Sequence, residues 1–197
     1  MNMGPDVEHD VLNRPEGSLR WLIVAIIMSL AQLGCSGTPQ GIKSVDDFQL
    51  DRYLGTWYEI ARLDHSFERG LSRVTADYSI AEDGGVTVLN RGFSQEEQEW
   101  NVAQGKAYFV GDDSTGHLKV SFFGPFYGSY VIFDLDKTDY QYAFVTSYSK
   151  DYLWFLSRTP TVSDALLQRF MAAAQSSGFS TGDIIFVAQE MPGKNAD

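Results

Sequence analysis

Apolar and polar residues alternate along most of the chain from Gly55 onward, in short runs separated by turn-forming residues. A period of two is typical of β-strands that bury one face and expose the other. Residues 83–85 and 112–116 are rich in Asp and Gly, which tolerate the positive φ angles of tight hairpin turns. The pattern therefore predicts an all-β fold, an eight-stranded antiparallel up-and-down barrel. The predicted strands are residues 56–63, 74–80, 86–93, 103–110, 118–123, 130–135, 142–147 and 152–157.

The last part of the chain predicts a C-terminal α-helix and a short ninth strand. Ser163 and Asp164 can cap a helix over residues 165–174. Residues 184–187 form the ninth strand, and the polar residues 192–197 form a flexible tail. The helix would face the barrel wall with its apolar residues, Leu166, Leu167, Phe170 and Met171.

Three short motifs occur in the order in which lipocalins carry them. They are Gly55-Thr56-Trp57 at the start of the first strand, Thr138-Asp139-Tyr140 in a turn, and Ser157-Arg158-Thr159-Pro160 at the end of the eighth strand. Longer stretches at residues 64–71, 119–128 and 151–160 strengthen the likeness. The chain resembles the bacterial outer-membrane lipocalins, which are similar to apolipoprotein D. The resemblance implies one lipocalin barrel with its C-terminal helix over residues 48–191.

An up-and-down barrel places alternate turns at opposite ends, so the start of strand one and the end of strand eight meet at the same end. The resemblance marks this as a closed, structural end. We expect the Arg158 guanidinium to stack on the Trp57 indole, and Asp139 to accept hydrogen bonds from backbone N–H groups of its turn. The predicted closed-end residues are Gly55, Trp57, Asp139 and Arg158.

The loops at the other end would frame a mouth. One of them, residues 124–128, carries aromatic side chains where contact with water favours polar ones. An exposed apolar patch needs a partner, and we expect it to touch a membrane surface. The alternative is that this loop folds over and seals the barrel. The predicted mouth residues are Phe67, Phe126 and Tyr127.

Alternation also assigns the residues that point into the barrel. On strand eight Arg158 turns inward at the base, so Leu156 shares its face. The same parity, with registers guided by the resemblance, gives a mostly apolar lining that suits an alkyl chain. The alternative is a packed core without a ligand. The predicted ligand cavity comprises Ala76, Tyr78, Val88, Asn90, Phe109, Val120, Phe122, Tyr130, Ile132, Val145, Tyr152 and Trp154.

The sequence does not favour catalysis or metal binding. His9 lies near the start of the chain, and His65 and His117 belong to opposite ends of the barrel, so no two could share a metal or form a relay. Glu59 shares the face of Trp57 and would be a partly buried carboxylate that needs a hydrogen-bond partner, for which a structural role is favoured. We expect no catalytic residue, no metal and no cofactor.

Charge narrows the range of partners. The chain has 15 Lys and Arg residues against 26 Asp and Glu residues, a formal net charge of -11. This charge disfavours nucleic-acid binding and non-specific adhesion to anionic lipid surfaces. Cys35 is the single cysteine, which excludes an intramolecular disulfide. It follows an apolar run, residues 21–33, that is short for a bilayer span and has Arg20 before it, as in a secretory signal peptide.

The residues around Cys35 predict a lipid anchor. Leu33-Gly34-Cys35-Ser36 resembles a bacterial lipobox, although Gln32 stands where that motif usually has an aliphatic residue. We predict a lipoprotein-type signal peptide over residues 1–34, followed by an acylated Cys35 and a tether to residue 47. The alternative is an uncleaved signal anchor that buries Cys35. Because Ser36 is not aspartate, the resemblance implies the periplasmic face of a Gram-negative outer membrane.

These features predict a carrier that stores or transports fatty acids or lysophospholipids at the bacterial outer membrane. Its partners would be the lipid ligand and, through acyl chains on Cys35, the membrane. Two alternatives stay open. One is a binder of another apolar ligand such as a tetrapyrrole pigment; the other is a lipocalin-type enzyme, which would need an essential titratable group in the cavity.

Overall fold

The chain folds into a closed barrel of eight antiparallel strands, as predicted. The computed structural model describes residues 36–190. Each barrel strand pairs with its neighbours in the chain, and β1 pairs with both β2 and β8, so the sheet closes on itself. The elements are α1 (Leu50–Tyr53), β1 (Gly55–Leu63), β2 (Leu71–Ile80), β3 (Val86–Ser94), β4 (Glu99–Phe109), β5 (His117–Phe123), β6 (Phe126–Leu135), β7 (Tyr142–Thr146), β8 (Leu153–Ser157), α2 (Asp164–Ser176) and β9 (Ile184–Phe186).

Three strands extend further toward the mouth than alternation predicts, and β2 begins at Leu71, three residues before its predicted start. β4 begins at Glu99 and β6 at Phe126, each four residues before the predicted start. The hairpins continue because Ser94 pairs with Glu99 and Phe123 pairs with Phe126. Backbone pairing satisfies N–H and C=O groups whatever the side chains are. A hairpin can therefore continue beyond the residues that alternate between apolar and polar.

The predicted helix and ninth strand are confirmed, and they cover the outside of the barrel. Helix α2 begins after Ser163, whose side chain accepts a hydrogen bond from the Leu166 N–H. Phe170 is fully buried, with its ring centroid 5.0 Å from that of Phe144 and 4.9 Å from that of Phe155. β9 then pairs with the second half of β1. Within residues 36–190, no helix is long and apolar enough to cross a membrane.

Residues 36–48, most of which belong to the predicted tether, pack against the barrel. Ile42 is buried in the outer core, the apolar cluster of Phe144, Phe155 and Phe170 between the barrel and helix α2. Val45 donates its N–H to the Ile132 carbonyl and accepts from the Gly116 N–H, each at 2.8 Å. Phe48 donates its N–H to Ser114 and is buried in the inner core. Burial of these apolar side chains stabilises the packing of the segment against the barrel. The predicted signal peptide, Cys35 and the tail at residues 192–197 lie outside the described residues.

Candidate functional site

A cavity of about 550 Å³ runs through the barrel interior, from a floor at Phe48 and Tyr53 to a mouth at Phe123 and Phe126. Its walls are mainly apolar. Pockets that hold one small molecule usually measure about 300–1,000 Å³. The barrel interior therefore has room for one ligand.

All the predicted cavity residues line this space except Phe109, Ile132 and Val145. Ile132 and Val145 are fully buried in the inner core. Phe109 packs on Phe48, with the ring centroids 6.1 Å apart. The prediction for these three is wrong because a period of two determines the face of a strand but not the depth along it. At that depth, side chains of the N-terminal segment fill the barrel.

Trp57 and Arg158 hold the closed end together. The Arg158 guanidinium carbon lies 3.9 Å from the Trp57 ring centroid. Its Nη1 donates to the Thr56 carbonyl at 2.9 Å and its Nη2 to the Arg52 carbonyl at 2.8 Å. Trp57 is fully buried and donates its Nε1–H to the Tyr53 carbonyl at 2.8 Å. These bonds fasten α1 across the bottom of the barrel.

The other two predicted closed-end residues, Gly55 and Asp139, do not contact each other in this way. Gly55 has a φ of 89°, which residues with a Cβ rarely adopt. The side chain of Asp139 is exposed. The carboxylate of Asp136 instead accepts hydrogen bonds from the N–H groups of Thr138 and Asp139 at 3.2 and 3.3 Å, and from that of Gln141 at 3.2 Å. The prediction for Asp139 is wrong because the turn N–H groups point back to the residue that starts the turn.

Three tyrosine hydroxyls meet at the floor of the cavity. The Tyr130 oxygen lies 2.7 Å from that of Tyr53 and 2.8 Å from that of Tyr78. Burial raises the pKa of all three, so the hydroxyls stay neutral. Two hydrogen bonds use two of the three hydroxyl hydrogens, which leaves one donor for an acceptor in the cavity.

A buried polar cluster interrupts one wall. The side chains of Glu59 and Glu68 line the cavity, and Arg62 lies behind them. Arg62 donates from Nη1 to Glu59 Oε1 at 2.6 Å and from Nη2 to the Glu68 carbonyl at 2.7 Å. Arg62 is therefore the partner that a buried Glu59 requires.

The folded protein shifts the pKa values of the two glutamates in opposite directions. Burial, followed by the neighbouring Glu68 carboxylate, raises the pKa of Glu59 well above its usual range, against the opposing effect of Arg62. Burial also acts to raise the pKa of Glu68, but hydrogen bonds and charge from His65, the Trp154 N–H and Arg62 outweigh it and lower that pKa. His65 Nε2 and Trp154 Nε1 each lie 3.1 Å from Glu68 Oε2. Glu68 therefore ionises at a lower pH than Glu59.

The two histidines in the part of the chain that the structure describes, His65 and His117, lie away from the cavity lining. His65 stacks on Phe67, with ring centroids 4.0 Å apart. Among residues 36–190, no group of three or more His, Cys, Asp or Glu side chains could hold a metal ion.

The mouth is open and apolar. Phe67, Phe123 and Phe126 are 59%, 82% and 79% exposed, and all three border the cavity. Tyr127 is half-buried and lies under Lys119, whose Nζ is 5.2 Å from its ring centroid. The loop after β5 does not fold over the opening.

Comparison with known proteins agrees with this architecture. The family model described as a lipocalin-like domain matches residues 48–189. The chain is 56% identical over 168 residues to outer membrane lipoprotein Blc of Vibrio cholerae serotype O1, which covers 85% of this chain and 98% of that protein. It is 48% identical over 170 residues to outer membrane lipoprotein Blc of Escherichia coli K12, covering 85% and 96%.

The chain belongs to the lipocalin family. Solved lipocalin-fold structures are more distant in sequence. Insecticyanin from the tobacco hornworm Manduca sexta superposes with a TM-score of 0.61 at 18% identity, over 77% of this chain and 86% of that one. At this identity the likeness shows the fold alone.

Several residues of this lipocalin's site, among them Tyr53, Glu68 and Arg62, were not predicted from the sequence. Strict alternation from Trp57 and Glu59 would point Arg62 outward, yet it lies beside Glu59. A β-bulge between Glu59 and Ala61 shifts the register against β8 and reverses the parity. Two charged residues at a spacing of three, with the apolar pair Ile60 and Ala61 between them, are the signal that could have revealed the bulge.

Proposed function

We propose that this lipocalin is a carrier that binds one fatty acid or lysophospholipid and holds it at the periplasmic face of the bacterial outer membrane. The observation that carries the proposal is an apolar cavity of about 550 Å³ that opens between exposed phenylalanines. Burial of an alkyl chain contributes about 25 cal/mol per Å² of apolar surface. The names of its relatives, outer membrane lipoproteins, support the location.

The polar groups of the cavity suit a lipid with one polar end. The tyrosine cluster at the floor has one hydrogen to donate, and the glutamate cluster stands near the mouth. The rest of the lining is mainly apolar, with Asn90 and Ser121 among its few polar members, so a long alkyl chain fits there better than a molecule with polar groups along its whole length.

The start of the described chain lies against β5 and β6, where the Ser36 backbone hydrogen-bonds to the His117 side chain. The Gly37 carbonyl accepts a hydrogen bond from Ser129 Oγ at 2.6 Å, and the Ser129 carbonyl accepts one from Ser147 Oγ at 2.7 Å. Ser147 directly follows β7, in a loop of the mouth. Two residues span at most about 7 Å. Acyl chains on Cys35 would therefore hold this wall of the barrel close to the bilayer, and we propose that the mouth residues Phe67, Phe126 and Tyr127 touch it.

A substitution that fills the cavity tests the carrier proposal. Ala76 on β2 lines the cavity, whereas Ser79 on the same strand is exposed. The full-length protein, stripped of lipid, is titrated with oleate and with oleoyl lysophosphatidylcholine while Trp154 fluorescence is followed. We expect saturable one-to-one binding that weakens at least tenfold in Ala76→Phe, because the new ring occupies the volume that the chain needs.

The matched control is Ser79→Phe, which adds the same ring on the outer face and should bind as the parent does. Thermal unfolding of both variants checks that the barrel is intact. If neither lipid binds the parent protein, or if Ala76→Phe binds both unchanged, the carrier proposal fails.

An enzyme that acts on a bound ligand is the second candidate, because the carboxyl groups of Glu59 and Glu68 line the cavity. Catalysis would require turnover. Mass spectrometry of lipid recovered after incubation with the protein distinguishes the two: unchanged lipid supports a carrier, and a product that Glu68→Gln abolishes supports an enzyme.

A further inference from the structure

The rim of the cavity combines a buried carboxylate with a group of aromatic rings. We propose that Glu68, Phe67, Tyr148, Tyr152 and Trp154 form a subsite for the ammonium group of a zwitterionic single-chain lipid. This ammonium subsite would make the carrier prefer choline or ethanolamine headgroups over anionic ones. The proposal rests on the proposed lipid-carrier function and adds the headgroup that the site selects.

The rings form a continuous wall beside the opening. The Tyr152 and Trp154 rings are nearly parallel, at 19°, with centroids 6.0 Å apart. Tyr148 adjoins Tyr152 at 5.4 Å, and Phe67 adjoins Trp154 at 6.5 Å. All four rings border the cavity, and those of Phe67 and Tyr148 are exposed. Aromatic faces attract ammonium groups, most strongly where water is excluded, and quaternary ammonium ions are commonly recognised in this way.

Glu68 supplies the negative charge at this wall. Its side chain is buried, yet it borders the cavity. The Trp154 Nε1–H and the His65 Nε2 both approach its Oε2, at 3.1 Å each. These contacts fix the carboxylate among the rings, and a side-chain hydrogen bond joins it to the Glu59 carboxyl group. Because a carboxylate accepts about four hydrogen bonds, Glu68 can receive a ligand cation without losing its present contacts.

The surrounding charges favour a cation over an anion. The groups that face Glu68 are Glu59, Arg62 and His65. The Arg62 charge is directed to Glu59 Oε1 and to backbone carbonyls, and Arg62 does not border the cavity. Arg91, a cationic residue at the border, is held by Asp77 at 2.7 Å. A headgroup with only negative charge would thus meet a carboxylate and aromatic rings, and among the residues that line the cavity Arg91 is the one cationic side chain.

A pair of ligands that differ only in the headgroup alcohol tests the subsite, because choline carries an ammonium group and glycerol does not. Oleoyl lysophosphatidylcholine and oleoyl lysophosphatidylglycerol share the chain and the phosphate. We expect the full-length protein, stripped of lipid, to bind the choline lipid about tenfold more tightly at neutral pH, which corresponds to ~1.4 kcal/mol. In Glu68→Gln the ratio should fall to less than threefold, through weaker binding of the choline lipid alone.

Two further variants separate recognition from folding. Tyr148→Leu replaces an exposed ring and should lower the ratio two- to threefold with little effect on stability. Glu96→Gln removes an exposed carboxylate from another loop of the mouth and should leave the ratio unchanged. Equal binding of the two lipids by the parent protein, or an equal loss of both in Glu68→Gln and no change in Tyr148→Leu, overturns the subsite while leaving the carrier function intact.

Binding of neither lipid would instead refute the carrier function on which the subsite rests. A displacement experiment with free phosphocholine completes the test, because a small solute could supply the same ammonium group. We expect it to displace the choline lipid only at concentrations at least a hundredfold higher, since it lacks the chain. Displacement at equal concentrations would overturn a lipid source for the headgroup.

Discussion

The closed end and the mouth of this barrel are built from the same eight strands, yet their interiors differ. At the closed end Trp57 is fully buried, its N–H is hydrogen-bonded, and Arg158 covers it. At the mouth Phe123 and Phe126 are exposed, and a cavity separates the walls. The interiors differ because α1 and the segment before it fill the closed end. No such segment of the described chain fills the mouth.

The comparison teaches that stability and binding are divided along the barrel axis. Side chains at the closed end exchange water for packed neighbours, so their replacement changes the free energy of unfolding. Side chains at the mouth have few packed neighbours to lose. Their replacement should change what the barrel binds or touches, and three predictions test this division.

Trp57→Ala should produce the largest effect, a loss of about 3–5 kcal/mol in the free energy of unfolding, because it leaves a cavity under Arg158 and removes the bond to α1. Denaturant-induced unfolding measures it. Phe123→Ala at the mouth is the control and should change stability by less than about 0.5 kcal/mol. A similar loss in both variants would mean that the two ends do not differ in this way.

Glu59→Gln should change how stability depends on pH. Since the folded state raises the pKa of Glu59, it binds that proton more tightly than the unfolded chain does. This contribution is complete below the ordinary glutamate pKa of about 4.3 and is lost as the pH rises toward the folded value, by at most ~1.4 kcal/mol per pH unit. Glutamine cannot ionise and can still accept from Arg62, so the variant should lose less stability over this range.

Urea unfolding at a series of pH values measures the difference. The depressed pKa of Glu68 works in the opposite sense, adding stability as the pH rises from the acidic side, and this gain should persist in Glu59→Gln. Glu96→Gln on the exposed mouth loop is the control and should keep the slope of the parent. An unchanged slope in Glu59→Gln would argue against a raised pKa of Glu59.

Phe126→Asp should have the smallest effect on stability, within about 0.5 kcal/mol, because the ring is 79% exposed. It should nevertheless slow transfer of a fluorescent fatty acid from vesicles to the protein several-fold, since a charged side chain does not enter a lipid interface. Affinity for the free fatty acid should not change. Unaltered transfer would show that the rim does not touch the membrane.

Much of the barrel could be predicted from local sequence. Alternation marks the strands, their order follows from short turns, and Ser163 marks the helix start. The pairing of Trp57 with Arg158 followed from the family motifs. In contrast, Phe109, Ile132 and Val145 point inward as predicted but do not meet the cavity. Their depth depends on residues far away in the chain.

Sequence alone determined which face of most strands points inward, because the period of two is a property of the backbone itself. Tertiary structure decided where the interior is filled and where it is empty, since this depends on the N-terminal segment, which docks from outside the barrel. It also decided the chemistry of the cavity wall. A bulge after Glu59 turns Arg62 inward, and the loop after β1 folds Glu68 under Trp154, and both arrangements exist only once distant strands have closed around them.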